Sequence, residues 1–286
     1  HRSLRLPPAE PPPMLGKRVV TALVLLAILL PSILVFPAPV WGAVTLVFLA
    51  VAAHEWSLLL GHRRHALAAA LTLAATGAVL LAWHELGGWP GWFVALAAGA
   101  ATLLWIAAAP LRLRRHDARG GGWPLAAALL LACWIALLAL RDIGAAALLS
   151  AMAIVWVADI AAYFVGRALG RRKLAPAISP GKSWEGAIGG FFAVAVIGLL
   201  AAASPALADA LPARLVANWS PLGAVLALVA LAALSIVGDL HESLLKRQAG
   251  VKDSGTLLPG HGGVLDRIDA LIPTMPAAML LHRLLG

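Results

Sequence analysis

Runs of about 18–20 mostly apolar residues recur along the whole 286-residue chain. Each run is long enough to cross a hydrocarbon core of ~30 Å as an α-helix rising ~1.5 Å per residue. Composition agrees: 62% of residues are apolar and 12% charged, against roughly half and a quarter in a soluble domain. The chain is therefore expected to be all-α, a polytopic transmembrane helical bundle of about nine spans. Those spans fall at about 19–36, 41–60, 66–83, 92–109, 124–140, 145–165, 187–204, 222–240 and 267–285, the last interrupted by Pro273 and Pro276. Trp41, Trp83, Trp89, Trp92, Trp123, Trp184 and Trp219 lie near proposed ends, where an interfacial aromatic belt belongs.

A net charge of +9 could suggest nucleic acid as a partner, but its distribution argues for membrane topology instead. With the N-terminus placed in the cytoplasm, alternate loops receive Lys17 and Arg18, then Arg63 and Arg64, then Arg112, Arg114, Arg115 and Arg119. Later loops on that side receive Arg167, Arg171, Arg172, Lys173 and Lys182, then Lys246, Arg247, Lys252 and Arg267, whereas the opposite side holds Arg141, Arg214 and Arg283. This asymmetry is the positive-inside pattern. Residues 1–16 read as a disordered leader, with Met14 as a natural start, 17–144 as an N-terminal transmembrane region (spans 1–5), and 145–286 as the catalytic transmembrane region (spans 6–9 with their cytoplasmic loops). The single cysteine, Cys133, sits within an apolar run and permits neither an intrachain disulfide nor a cysteine zinc site. No internal repeat is seen.

Charge of both signs gathers in two predicted cytoplasmic segments, Gly166–Gly190 and Gly238–Asp269. In the second, Asp239, Glu242, Ser243, Lys246 and Arg247 trace one face of a helix continuing span eight. A carboxylate at the depth of Asp239 is costly unless paired or metal-bound. The plainer reading is an amphipathic interfacial turn with Glu242–Lys246 as an i,i+4 pair. Further on, "PGHGGVLDRID" places Gly260, Gly262 and Gly263 where backbone N–H groups can cradle phosphate oxygens, followed by Asp266 and Asp269 at i,i+3. Two carboxylates on one turn beside such a loop suit a divalent cation bridging phosphates, with Arg267 and Lys252 neutralising charge. A helix N-terminus enriched in Asp explains the carboxylates equally well, but not the glycines.

In the first segment, Asp159, Tyr163 and Arg167 share helical spacing in span six, and Asp159 needs a partner such as Arg167 or a metal. Ala158, Ala162 and Gly166 form a small-residue stripe for close helix packing. Ser179, Gly181, Lys182 and Ser183 resemble an anion-binding turn leading into a helix from about Glu185, although the spacing is not that of a P-loop. His54–Glu55 and His84–Glu85 sit near span interfaces with no further ligand set and carry no site reading.

The stretch Ser243–Asp269, "SLLKRQAGVKDSGTLLPGHGGVLDRID", resembles the signature of the phosphatidate cytidylyltransferases, or CDP-diacylglycerol synthases. The fixed positions are met by Ser243, Lys246, Arg247, Lys252, Asp253, Gly255, Pro259, His261, Gly262, Gly263, Asp266, Arg267 and Asp269. "GDLHES", "AYFVGR" and "ISPGKSWEG" are also similar to that family, whereas Ile160 departs from the Ser or Thr that often follows the span-six aspartate. The resemblance implies transfer of a cytidylyl group from CTP to phosphatidate at the cytoplasmic face of the inner membrane. It further implies Mg²⁺ (or Mn²⁺) held chiefly by Asp239 and Asp266, with Asp159, Asp253 and Asp269 as second choices. Lys246, Arg247, Lys252 and Arg267 become the catalytic cations, and Ser179, Lys182, Ser183, Ser243, His261, Gly262 and Gly263 the substrate-binding set. A bound K⁺ and a homodimer also come with the family, and spacing addresses neither. The rival readings are a CDP-archaeol-type synthase acting on another lipid phosphate, and an ion-coupled transporter, whose charges would be spread through the membrane depth.

Overall fold

The computed structural model describes residues 15–258, 260 and 262–285. His261 and the segment 1–14 lie outside the described residues. The chain forms the helices α1 (Leu15–Leu34), α2 (Ala38–Leu59), α3 (Ala66–Gly87), α4 (Gly91–Arg115), α5 (Gly122–Ile143) and α6 (Ala145–Leu169). A short hairpin, β1 (Lys173–Ala175) and β2 (Ser179–Ser183), then leads into α7 (Trp184–Ala202), α8 (Leu211–Asn218), α9 (Pro221–Ala249), α10 (Leu265–Ile268) and α11 (Leu271–Leu284).

A helix occupies the place of every predicted span, and among the described residues seven, α2–α7 and α9, are long and apolar enough to cross a membrane. The protein is thus all-α and multi-pass. Two of the nine expected spans do not meet that measure. In α1 the described apolar stretch is Leu23–Leu34, and α11 has 14 residues. The physical reason for the shorter last helix is Pro273: it has no N–H to offer the carbonyl of Asp269, so the turn opens there and α10 is cut off from α11. In compensation α11 is sheathed on nearly every side, packing on α4, α5, α6 and α9, with Leu271 to Met279 all buried.

Small residues set two close approaches that matter for the site. The stripe Ala158, Ala162 and Gly166 of α6 meets Gly186 and Gly190 of α7, as close packing of small residues requires. A Cβ on Gly186 would fall 2.7 Å from the Ala162 carbonyl oxygen, and one on Gly190 would fall 2.8 Å from that of Ala158. On α9, Gly238 lets the helix lie against the α10–α11 corner, where a Cβ would press to 2.7 Å from the Pro273 ring. The β1–β2 hairpin is therefore held over the end of the α6–α7 pair. Glu185 fastens it by accepting from the N–H groups of Arg171 (3.1 Å) and Arg172 (3.2 Å), and the Ser183 hydroxyl caps α7 by accepting from the Gly186 N–H at 3.2 Å.

Candidate active site

The charged stripe of α9 emerges as predicted because the helix runs unbroken to Ala249, well past the end of its apolar run. Ser243 donates to Asp239 Oδ1 at 3.2 Å, one turn below. The other oxygen, Oδ2, lies 2.6 Å from the Lys182 ammonium, delivered by β2. One turn further on, Lys246 is wedged between carboxylates of two elements: Glu242 on its own helix, an ion pair without a well-aligned hydrogen bond, and Asp266 Oδ1 of α10 at 2.5 Å. Glu242 is only 4% exposed. A buried carboxylate of that kind is tolerated because the ammonium beside it compensates the charge.

The segment between α9 and α10 folds back so that its backbone wraps Asp266. Leu258 N–H donates to the Gly262 carbonyl at 2.9 Å, and Gly262 turns the chain at φ +80°, where a Cβ would be strained. Asp266 Oδ2 then accepts from the N–H groups of Gly263 and Ser254, each at 2.8 Å. Burial alone would raise the Asp266 carboxyl, but the Lys246 ammonium and these two amides outweigh it and hold the group below its usual range. Asp269, at the corner before α11, accepts from the Ala270 N–H at 2.8 Å.

The support of this turn was not legible from the motif. Glu55, 3% exposed on α2, accepts from Val264 N–H (3.1 Å) and Leu265 N–H (2.7 Å), the opening amides of α10. The Ser254 hydroxyl sits between Glu55 Oε2 (3.1 Å) and Asp266 Oδ2 (2.9 Å), with one proton to give to either carboxylate. A Cβ at Gly263 would fall 2.5 Å from Glu55 Oε1, so the glycine there makes room for the strap. Of the three glycines expected to offer their amides as a phosphate cradle, Gly263 instead gives its N–H to the chain's own Asp266. A lone Glu inside an apolar run was the available signal; its partners lie about 200 residues away in the chain.

Part of this set lines a cavity of about 520 Å³ at the helix ends, whereas Ser243, Lys246, Gly262 and Gly263 are not among its lining residues. It brings together Asp159 of α6, Ser179, Lys182 and Ser183 of β2, Asp239 of α9, Asp266 and Arg267 of α10, and Asp269 just beyond it. Other expected members stand apart from it. Lys252 and Asp253 are exposed in the loop after α9, and Arg247 ties that loop to the hairpin, donating to the carbonyls of Ile178 and Val251 at 3.4 Å each. Arg167 donates to the Tyr163 hydroxyl at 3.2 Å, so the Asp159–Arg167 pairing expected from spacing is not formed. An apolar groove of about 180 Å³ is lined by Leu29, Phe48, Leu49, Trp156, Ile268 and Arg267, the last of which also borders the charged cavity.

Among the described residues, no cluster of acidic or imidazole side chains stands ready-made for a metal ion. The donor chemistry nonetheless fits a hard divalent cation, since the cavity offers carboxylate oxygens. The Lys182 and Lys246 ammoniums lie against Asp239 and Asp266, so positive charge already neutralises both carboxylates.

A multi-pass helical protein with a cluster of aspartates in a cavity at its helix ends is the class that fold and site define. Comparison with known sequences makes it an enzyme, a nucleotidyltransferase: the profile of the Cytidylyltransferase family matches residues 16–285, and the chain belongs to that family. It is 39% identical over 279 residues to a phosphatidate cytidylyltransferase of Pseudomonas aeruginosa, covering 93% of this chain and 97% of the relative. Shorter alignments join it to the phosphatidate cytidylyltransferases of Brucella suis, 48% identical over 57% of each chain, and Haemophilus influenzae, 49% identical over 45% of this chain and 43% of the relative.

Proposed function

We propose that this protein transfers the cytidylyl group of CTP to phosphatidate, forming CDP-diacylglycerol and pyrophosphate, at the cytoplasmic face of an inner membrane. The observation that carries the reading is the single cavity in which four aspartates and the Lys182 ammonium converge beside an apolar groove. A lipid phosphate and a soluble nucleotide come from different phases, and such a site is open to both.

In the reaction a phosphate oxygen of phosphatidate forms a new bond to the α-phosphorus of CTP. The bond from that phosphorus to the bridging oxygen breaks, and its electron pair leaves with pyrophosphate. The nucleophile is already an anion, so the task of the protein is to bring anions together rather than to remove a proton. Mg²⁺ bound by Asp239 and Asp266, with Asp159 and Asp269 nearby, would supply charge compensation for the triphosphate. Lys182 and Lys246 are held against those same carboxylates. On loading they would turn their ammonium groups to phosphate oxygens, and Arg267, at the junction of groove and cavity, would meet the lipid phosphate. Ser179 and Ser183 border the triphosphate side. The Asp266 turn is held by Glu55 and Ser254, which position it without touching substrate.

The test is turnover: purified protein with labelled CTP, phosphatidate and Mg²⁺ is expected to yield a CDP-lipid and pyrophosphate in equal amounts. Folded protein that forms no CDP-lipid from phosphatidate, yet forms one from another lipid phosphate, would reassign the acceptor.

A further inference from the structure

A second charged cavity lies at the opposite ends of the helices, away from the aspartates. It measures about 530 Å³, within the ~300–1,000 Å³ of ordinary small-molecule sites. Its polar lining comes from four elements: His84 of α3, Asp142 of α5, Arg214 of α8, and His282 and Arg283 of α11. The one carboxylate among them is already engaged, Asp142 Oδ2 lying 2.7 Å from His84 Nε2. Among the described residues neither Arg214 nor Arg283 has a carboxylate partner. Two guanidinium groups thus face a cavity whose only acid is spent.

Two independent features ask for an anion there. His282 is 3% exposed and lines the cavity, yet neither ring nitrogen has a hydrogen-bond partner among the described residues. An unpaired buried polar group of this kind is costly unless something supplies the missing bond. The second feature is the start of α4. Pro90 at its N-cap offers no side-chain acceptor, and the Arg283 guanidinium rests where a Cβ on Gly91 would lie. A cation beside the positive end of a helix is unfavourable by itself, whereas an anion in the adjoining cavity offsets both positive ends and can accept from the imidazole. Arg214 completes the ring from a rigid base, because α8 is pinned to α6 by the Leu211 N–H donating to Ser150 Oγ at 2.9 Å.

We propose that this cavity is a phosphate-binding site, distinct from the acidic one and on the other membrane face. Its ligand is a phosphate group, carried either by an anionic lipid headgroup or by a free phosphate. Arg214 and Arg283 supply the charge, and His282 donates one N–H into the cavity.

Thermal unfolding of the full chain in nanodiscs separates the two sources. In phosphatidylcholine discs, inorganic phosphate is titrated against chloride at matched ionic strength; in a second arm, phosphatidylglycerol replaces part of the phosphatidylcholine. A rise in Tm with phosphate identifies a free anion, and a rise with phosphatidylglycerol alone identifies the lipid headgroup. Either gain is expected to survive Lys182→Ala, which affects only the acidic cavity. Arg283→Gln and Arg214→Gln should each weaken it about tenfold in apparent affinity, the scale of one charge-assisted contact. Arg283 is exposed, so its variant is expected to fold even where the Arg214 variant does not. No gain with either probe, or a gain that R283Q leaves unchanged, overturns the site.

Discussion

Asp239 and Asp266 each hold an ammonium group, and the two contacts differ in kind. The Lys182–Asp239 pair is roughly a quarter exposed on each side, while Lys246 and Asp266 are nearly enclosed. Breaking the first should therefore cost little stability, as with most solvent-screened pairs, ~0–1 kcal/mol. Removing Lys246 would strand Asp266 and Glu242 together, a loss on the order of 3–5 kcal/mol. Asp239→Asn and Asp266→Asn are expected to lower kcat/KM by about 100-fold or more, a loss of ~2.7 kcal/mol of transition-state stabilisation. The D239N protein should unfold within a few degrees of the parent. Activity within a few-fold of the parent in both variants would remove these carboxylates from the chemistry. Asp239 stood out in the sequence as an acid at the end of a long apolar run, and Asp266 through the glycines ahead of it; the structure places both on one cavity. Glu55 also stands in an apolar run, but its partners are backbone amides, which no side-chain pattern records.

Helix positions were the most readable layer, since an apolar run long enough to cross a membrane has few alternatives to one helix. What the runs did not convey was how the ends are used. The hairpin β1–β2 read only as an anion-binding turn, because its strands are 3 and 5 residues long and the second is mostly Ser, Pro and Gly. The amphipathic α8, of 8 residues, is hidden between two spans for the same reason of length. The α6–α7 contact, in contrast, followed directly from its small-residue stripe. Gly190→Leu should overpack that contact by about 1–3 kcal/mol and also shift the hairpin bearing Lys182, so Tm and activity fall together. If G190L lost activity with an unchanged Tm, the glycine would have some other role. The α2–α10 strap behaves differently. Glu55→Ala leaves the Val264 and Leu265 amides unpaired at a cost of about 2–4 kcal/mol, with Glu55→Gln recovering part of it through its carbonyl oxygen. Equal melting of E55A and E55Q would show that the carboxylate oxygens hold nothing.

At the scale of the molecule, the two charged cavities sit at opposite ends of one helical bundle, so orientation in the bilayer decides which compartment each one meets. The chain has one cysteine, Cys133, and it is buried, so a new thiol elsewhere reports cleanly. Arg64→Cys lies in the exposed α2–α3 turn and Leu86→Cys near the far end of α3, at a residue 88% exposed. An impermeant maleimide should reach L86C in right-side-out vesicles and R64C in inverted ones; the reverse would invert the proposed topology. The strap from Glu55 joins the second helix to the turn before the last. The residues that mark the family are therefore braced by a side chain from the opposite half of the gene product. A fragment beginning at the sixth helix would carry every diagnostic letter and still lack the brace, so kinship can be detected in such a fragment where competence cannot be expected.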